Sequence, residues 1–280
     1  MSRASVILLT FLAMLAFAAN SVLCRLALKE TEIDAASFTA VRLVSGALAL
    51  WLIVALRSGA RTSGGSWPSA LALFAYAAPF SFAYVSLSAG TGALLLFGSV
   101  QASMILYGLW RGERLTARQL TGFALAMGGL VYLVLPGLAA PPLGSALLMI
   151  LAGMSWSVYS LRGSGAAKPL AATAGNFLRA APMGIALGLA ALPWAQPDMA
   201  GIGYAVASGA LASGVGYAIW YAALPGLKAT SAATVQLSVP VIVAAAGVIL
   251  LGEPITLRLA LASVAILGGI ALVIMVRRNG

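Results

Sequence analysis

"GERLT", residues 112–116, returns as "GEPIT", residues 252–256, in a chain with only six acidic residues among its 280. At an offset of 140, Gly112 aligns with Gly252, Glu113 with Glu253, Thr116 with Thr256, Arg118 with Arg258, and Gly128-Gly129 with Gly268-Gly269. At an offset of 137, Arg42 meets Arg179, Tyr84 meets Tyr221 and Phe80 meets Tyr217. The chain reads as a duplication, residues 1–136 and 137–280, and the phrase marks one point in each copy. Within the phrase, Gly suits the end of one helix and Thr the cap of the next, with "TARQ" at 116–119 fitting a capping box. The Glu side chain between them can accept from free backbone N–H groups. The other reading, a proton-exchanging carboxylate, is weakened because both Glu residues fall at the ends of apolar runs.

Apolar residues make up 62% of the chain and charged ones 8%, against roughly 45–50% and about 25% in soluble domains. A bilayer core about 30 Å thick needs about 20 apolar residues of helix, and ten segments qualify: 4–26, 35–56, 67–87, 91–110, 117–135, 143–162, 171–192, 200–223, 230–250 and 257–276. Between them stand breakers such as "KETEID", "RSGARTSGGS", "PGLAAPPLG" and "AQPDMAG". The expected fold is an all-α membrane protein of ten transmembrane helices built as two five-helix repeats. Because five is odd, the second repeat enters the membrane from the opposite side, so the repeats are inverted. Small residues in "AFAANS" would also suit a leader cleavage site, but the repeat needs the first segment as the counterpart of the sixth.

Orientation follows from the basic residues. With the N-terminus inside, Arg3, Arg57, Arg61, Arg111, Arg114, Arg118, Arg162, Lys168, Lys228, Arg277 and Arg278 are cytoplasmic, and Arg25, Lys29 and Arg258 are outside. Eleven against three predicts N-in and C-in. The same bias makes the excess of basic residues a topology signal rather than a nucleic-acid surface. One cysteine, Cys24, and no histidine exclude a disulfide framework, a CxxC site, zinc and His acid–base chemistry. No metal or cofactor is implied, and an enzyme would have to build its site from Ser, Thr, Tyr or Arg alone.

Ten spans, a "GE" hairpin closing each half, and the stretches "YVSLSAGTGALL" (84–95) and "YAALPGLKATSAATVQLSVPVIVAAAGVILLGEPIT" (221–256) resemble the drug/metabolite transporter superfamily of EamA type. The likeness covers essentially the whole chain. The first half departs from it, being three residues shorter and carrying Val100 where the second half has Pro240. The resemblance implies a secondary transporter of the bacterial inner membrane working by alternating access. It extends to exporters of amino acids, including the YddG-like exporters of aromatic amino acids. The partners implied are a small-molecule substrate and the lipid bilayer, with the monomer sufficient because one chain holds both repeats. Export of drugs or other metabolites with ion coupling, and lipid flipping, stay open as alternatives.

Ionisable residues within a span are costly and therefore functional candidates. Arg42 and Arg179 lie at symmetric depths in spans two and seven, either to meet a substrate carboxylate or to bind carbonyls and hold helices. No Asp or Glu lies mid-span, which disfavours proton-coupled export of cations and favours facilitated diffusion or exchange. Tyr76, Phe80 and Tyr84 form an i, i+4, i+8 stripe, and Tyr217 and Tyr221 with Trp220 beside them form its repeat-related partner. They either line an aromatic cavity or simply pack. Asn20, Gln101, Trp156, Tyr159, Asn176 and Gln236 complete the candidate substrate-binding set, because their polar groups seek partners inside a bundle. "ALAMG" (124–128) and "AILGG" (265–269) predict close helix crossings, and Pro79, Pro182 and Pro240 predict bends.

Overall fold

The computed structural model describes residues 2–58, 64–137, 139–227 and 229–276. Arg61, Lys228, Arg277 and Arg278, which contribute to the charge bias, lie outside the described residues. Among those described there is no strand, only helices and short connections. Ten long helices follow in order: α1 Arg3–Glu30, α2 Ala35–Ser58, α3 Trp67–Tyr84, α4 Ala89–Trp110, α5 Ala117–Val134, α6 Leu143–Gly163 and α7 Pro169–Ala190. Then come α8, Met199–Gly226, α9 in two parts, Ala229–Gln236 and Ser238–Leu251, and α10 Leu257–Val276. A helix satisfies its backbone internally, which is what a segment without water requires.

Eight of the ten are long and apolar enough to span a membrane by length and composition alone. The other two are α3 and α7, and they carry Tyr76, Arg179 and Asn176, whose polarity lowers their hydropathy. Side chains are distributed inside out. Leu8, Phe11, Leu48, Leu52, Ile249 and Val264 face outward, while Ala13, Ala77, Ala152, Ala174 and Ala180 are buried between helices, the small-residue interior expected where lipid is as apolar as leucine. Trp67, Trp110 and Trp194 project at helix ends, as at a membrane interface.

Helix starts follow local chemistry. Ser2, Ser66, Ser88 and Asp198 each accept a backbone N–H three residues on. Thr116 and Gln119 complete the predicted capping box. Pro79 and Pro182 lie inside unbroken helices, but Pro240 follows an interruption at Leu237. Proline removes the hydrogen bond to the residue four before it and crowds that carbonyl; α9 is interrupted ahead of Pro240, whereas α4, with Val100 at the equivalent position, is one continuous helix.

The packing exposes the duplication. α2 lies on α7, α4 on α9 and α5 on α10, each helix against its own counterpart, while α3 on α6 is matched by α8 on α1. This exchange is the signature of a two-fold relation between the halves. Arg25 reaches the last carbonyls of α3, at Tyr84 and Val85, whereas its repeat mate Arg162 reaches Ser69 at the start of α3. Repeat-related residues thus meet opposite ends of one helix. The α5–α10 crossing uses Gly122, Ala126 and Gly129 against Gly269 and Ile266, and a Cβ at Gly122 would come 2.6 Å from the Gly269 carbonyl oxygen. Gly128 and Gly268 point away from it.

Candidate functional site

The duplicated phrase does the structural work expected of it. Gly112 and Gly252 adopt left-handed backbone, φ 91° and 61°, and end α4 and α9. The N–H of each following Glu then returns to a helix carbonyl, Glu113 to Gly108 at 2.9 Å and Glu253 to Gly247 at 3.1 Å. Glu253 Oε2 accepts the Ala89 N–H at 2.7 Å, capping α4 across the repeat boundary. Its Oε1 accepts from Arg25 Nε at 2.8 Å, and the carboxylate is only 9% exposed. Lys29 Nζ donates to the Leu251 carbonyl at 2.8 Å, fastening α1 to the same hairpin.

Deeper in the bundle, α2 carries Arg42, which is 2% exposed. Its Nη2 donates to Tyr76 Oη at 3.0 Å, and the guanidinium lies over the rings of Phe80 and Tyr76, 4.8 and 5.2 Å from their centroids. Nε and Nη1 have no hydrogen-bond partner. The guanidinium is thus buried with the N–H donors of these two nitrogens unspent. Asn20 Nδ2 donates to the same Tyr76 oxygen at 3.2 Å, and Ser208 Oγ donates to Asn20 Oδ1 at 2.7 Å. Ser208 reaches α1 from a π-helical segment of α8, Ala207–Val215. That segment approaches α2 through Gly209, where a Cβ would collide with Ser45 Oγ and the Arg42 carbonyl. π segments of this kind recur at functional positions.

The two predicted stripes join into one line of rings. Tyr84 meets Phe80 edge to face at 4.8 Å, Phe80 meets Tyr76 at 5.3 Å, and Tyr76 meets Trp156 at 4.8 Å. Trp156 stacks on Tyr217 at 5.9 Å and Tyr217 on Tyr221 at 6.3 Å. Trp156 from α6 is the splice between the stripes of α3 and α8. The line is unevenly covered: Phe80 and Tyr84 are fully buried, while Trp156 and Tyr221 are half-buried. At the second end, Tyr159 Oη donates to Thr173 Oγ1 at 3.5 Å and accepts from Asn176 Nδ2, and Thr173 Oγ1 lies 3.1 Å from Tyr221 Oη.

Other candidates lie elsewhere. Arg179 donates to the Gly64 and Gly175 carbonyls at 2.9 and 2.8 Å, the helix-holding alternative of its two readings. Asn176 Oδ1 accepts the Ser66 N–H at 2.8 Å in the same corner. Trp220 turns from the line into an apolar cluster with Met14, Ala18, Val239 and Val243. Gln101 and Gln236 are half-buried and take no part in the hydrogen bonds around Tyr76 or Tyr159. Phe17, Ser208 and Thr173 join the site without having been anticipated. Thr173 stands three residues before Asn176 and could have been found by helical spacing; Ser208 could not. Two crevices lie away from the rings: one of about 510 Å³ among α4, α5 and α6, the other of about 460 Å³ between α2 and α7.

Comparison with known proteins agrees with this architecture. A solved crystal structure superposes over the full length of both chains with a TM-score of 0.69 at 20% identity, which speaks for the fold. The uncharacterized protein PA1977 of Pseudomonas aeruginosa is 59% identical over 272 residues, covering 97% of this chain and 95% of that one. An uncharacterized transporter of Archaeoglobus fulgidus is 30% identical over 165 residues, 56% of each chain. The pattern of the EamA-like transporter family matches twice, over residues 4–135 and 143–275. With both repeats matched, the chain belongs to the EamA-like transporter family.

Proposed function

We propose that this multi-pass membrane transporter exports small metabolites, first amino acids with aromatic or bulky apolar side chains, across the bacterial inner membrane. The N- and C-termini lie in the cytoplasm, and the halves 1–136 and 137–280 rock about the ring line to expose it alternately to each side. The observation that carries this reading is the buried Arg42 guanidinium with Nε and Nη1 unpartnered. A carboxylate can accept a charge-assisted N–H from either of these nitrogens, and binding it would relieve a charge that is otherwise expensive in hydrocarbon. Asn20 and Tyr76 orient that guanidinium, and Phe80, Trp156 and Tyr217 offer ring faces to a flat or apolar side chain. Tyr84 and Tyr221 stand at the two ends of the line.

No Asp or Glu stands among these groups, which supports facilitated diffusion or exchange over proton-coupled export. A second reading draws on the apolar crevice lined by Leu106, Met127, Leu130, Val131, Ile150 and Met154, which suits a lipid or isoprenoid chain. Uptake into proteoliposomes of a labelled amino-acid panel, with and without a pH gradient and with and without unlabelled amino acid inside, separates these readings. Saturable uptake of Phe, Trp, Tyr or Met that ignores the gradient and is lost in Arg42→Gln is expected. Absence of uptake for every amino acid, with faster phospholipid transfer than in protein-free vesicles, would overturn it in favour of the lipid.

A further inference from the structure

The crevice among α4, α5 and α6 follows from how those helices are held. α5 packs on α10 through the glycine crossing, α6 packs on α3 and α4, and α5 and α6 have no comparable interface among the described residues. They part over α4, leaving a volume of about 510 Å³, within the range of about 300–1,000 Å³ that small-ligand sites occupy. Leu135, Pro136 and Leu143 stand at one end, where α5 stops and α6 starts, and Ser103, Leu106 and Met154 line its depth. From Leu143 to Met154 the crevice follows α6 for about 16 Å at a rise of about 1.5 Å per residue, about half the thickness of the hydrocarbon core. Its rim is open to the bilayer, with Leu106, Leu135, Leu143 and Met154 each about half exposed. An empty space lined by carbon forfeits dispersion contacts. Acyl chains are the material at hand to fill it.

A cation stands at the open end. Arg258, near the start of α10, donates through Nη1 to the Leu133 carbonyl at 3.5 Å and to that of Leu135, and its guanidinium lies 5.4 Å from the centroid of the Tyr132 ring. Leu135 is thus shared between the arginine and the crevice. Arg258 enters neither of the ion pairs formed among the described residues, Arg25–Glu253 and Lys29–Glu30. Its Nε and Nη2 donate to no described residue, and the side chain is only partly buried. Its charge and those two donor groups are therefore available to an anion that approaches from the bilayer surface.

We propose that this crevice binds one anionic phospholipid of the surrounding bilayer: an acyl chain fills the gap between α5 and α6, and the headgroup phosphate pairs with Arg258. The lipid belongs to the leaflet on the side where α5 ends and α10 begins, and it is a bound component rather than cargo. A phosphate with no ammonium in its own headgroup, as in phosphatidylglycerol, answers a guanidinium that has no carboxylate partner; the ammonium of phosphatidylethanolamine already serves its own phosphate. The site goes beyond the transport reading and holds whichever cargo is carried, because it requires no movement of lipid between leaflets.

The experiment is native mass spectrometry of the purified full-length protein in mild detergent, titrated with phosphatidylglycerol or phosphatidylethanolamine of identical acyl chains, reading the affinity of the first lipid bound. Phosphatidylglycerol should bind about fivefold more tightly, the effect of one basic residue on an anionic headgroup. Arg258→Gln should abolish that preference and Arg258→Lys should keep it, since lysine also binds phosphate as a point charge; the second variant separates loss of charge from damage to the α5 end. Arg118→Gln removes the repeat-related charge from the opposite end of α5 and should leave the preference unchanged. Ser103→Phe fills the crevice and should weaken the first binding of both lipids by about tenfold, about 1.4 kcal/mol and within the worth of one buried aromatic side chain. Equal affinity for the two lipids, a preference that survives Arg258→Gln, or a first affinity untouched by Ser103→Phe would overturn the site. Paired chains in place of lipid adducts, lost in Ser103→Phe, would overturn it in favour of a second copy of the chain. Amino-acid uptake measured on the same variants is independent of these outcomes, so failure of the lipid site and failure of the transport reading are told apart.

Discussion

Replacing Arg42 by Met tests whether this side chain is kept for stability or for cargo. Met has similar length and flexibility, and its sulfur can replace the cation over the rings of Phe80 and Tyr76 at comparable value. Charge at the bilayer centre costs about 3 kcal/mol on insertion scales, a figure that already covers the desolvation of the unpartnered Nε and Nη1. Against it stands the single hydrogen bond from Nη2 to Tyr76 Oη, about 2 kcal/mol for a charged donor. Tyr76 Oη keeps its bond from Asn20, so the substitution strands no other group. The balance is about 1 kcal/mol in favour of Arg42→Met, which for a chain of this size raises Tm by about 2–4 °C. Transport of carboxylates should be abolished in the same protein. Thermal unfolding in detergent at a fixed heating rate, with uptake measured in parallel, reads both quantities. A Tm that falls by several degrees would refute the reasoning and make Arg42 a structural tie, since breaking a needed buried charge interaction typically costs about 3–5 kcal/mol.

Gly209→Ala should cost about 1–3 kcal/mol by overpacking and reduce uptake, because its Cβ has no room against Ser45 and Arg42; Gly203→Ala, which meets nothing within 4 Å, serves as the neutral control by the same melting assay. Asp34 caps α2 through the Ala36 and Ser37 N–H groups, and although its partial burial works the other way, these bonds and the Gln196 N–H hold its carboxyl below the usual range. A lowered folded pKa contributes stability that is fully present above the unfolded pKa of about 3.9 and is lost as pH falls from there through the folded value. The melting temperature should therefore drop below about pH 4 by more in the native chain than in Asp34→Asn. Reporter tags on the two termini should both read cytoplasmic, and a periplasmic C-terminus would contradict ten spans.

Most of the architecture was legible because hydrocarbon allows few solutions. Apolar runs had to be helices, "GERLT" and "GEPIT" had to occupy equivalent hairpins, and the stripes of α3 and α8 had to repeat. The joining of those stripes was not legible, since it depends on Trp156 reaching Tyr76 and Tyr217 from a third helix. Ser208 shows another limit. It stands nine residues before Tyr217, two and a half turns of an α-helix and hence on the opposite side, yet both face α1, at Asn20 and Phe17. The π segment between them changes the count of residues per turn, which periodicity cannot anticipate. Arg42 and Arg179 show a third: identical in repeat position, they differ in what the opposite helices present, ring faces to one and loop carbonyls to the other.

Arg42 also gives the protein a relation to the electrical field of the membrane. Under the alternating access proposed above, a cation reached first from one side and then from the other would experience the transmembrane potential in each passage, to the extent of about 2.3 kcal/mol per 100 mV for a full crossing. A zwitterionic cargo leaves that charge in place, so loaded and empty forms feel the field alike. An anionic cargo neutralises it, so only the empty form is driven. The resting potential of the cell would then set the pace of the return step and spare the forward one, making a single unpaired guanidinium the point at which cargo charge and cellular energy meet.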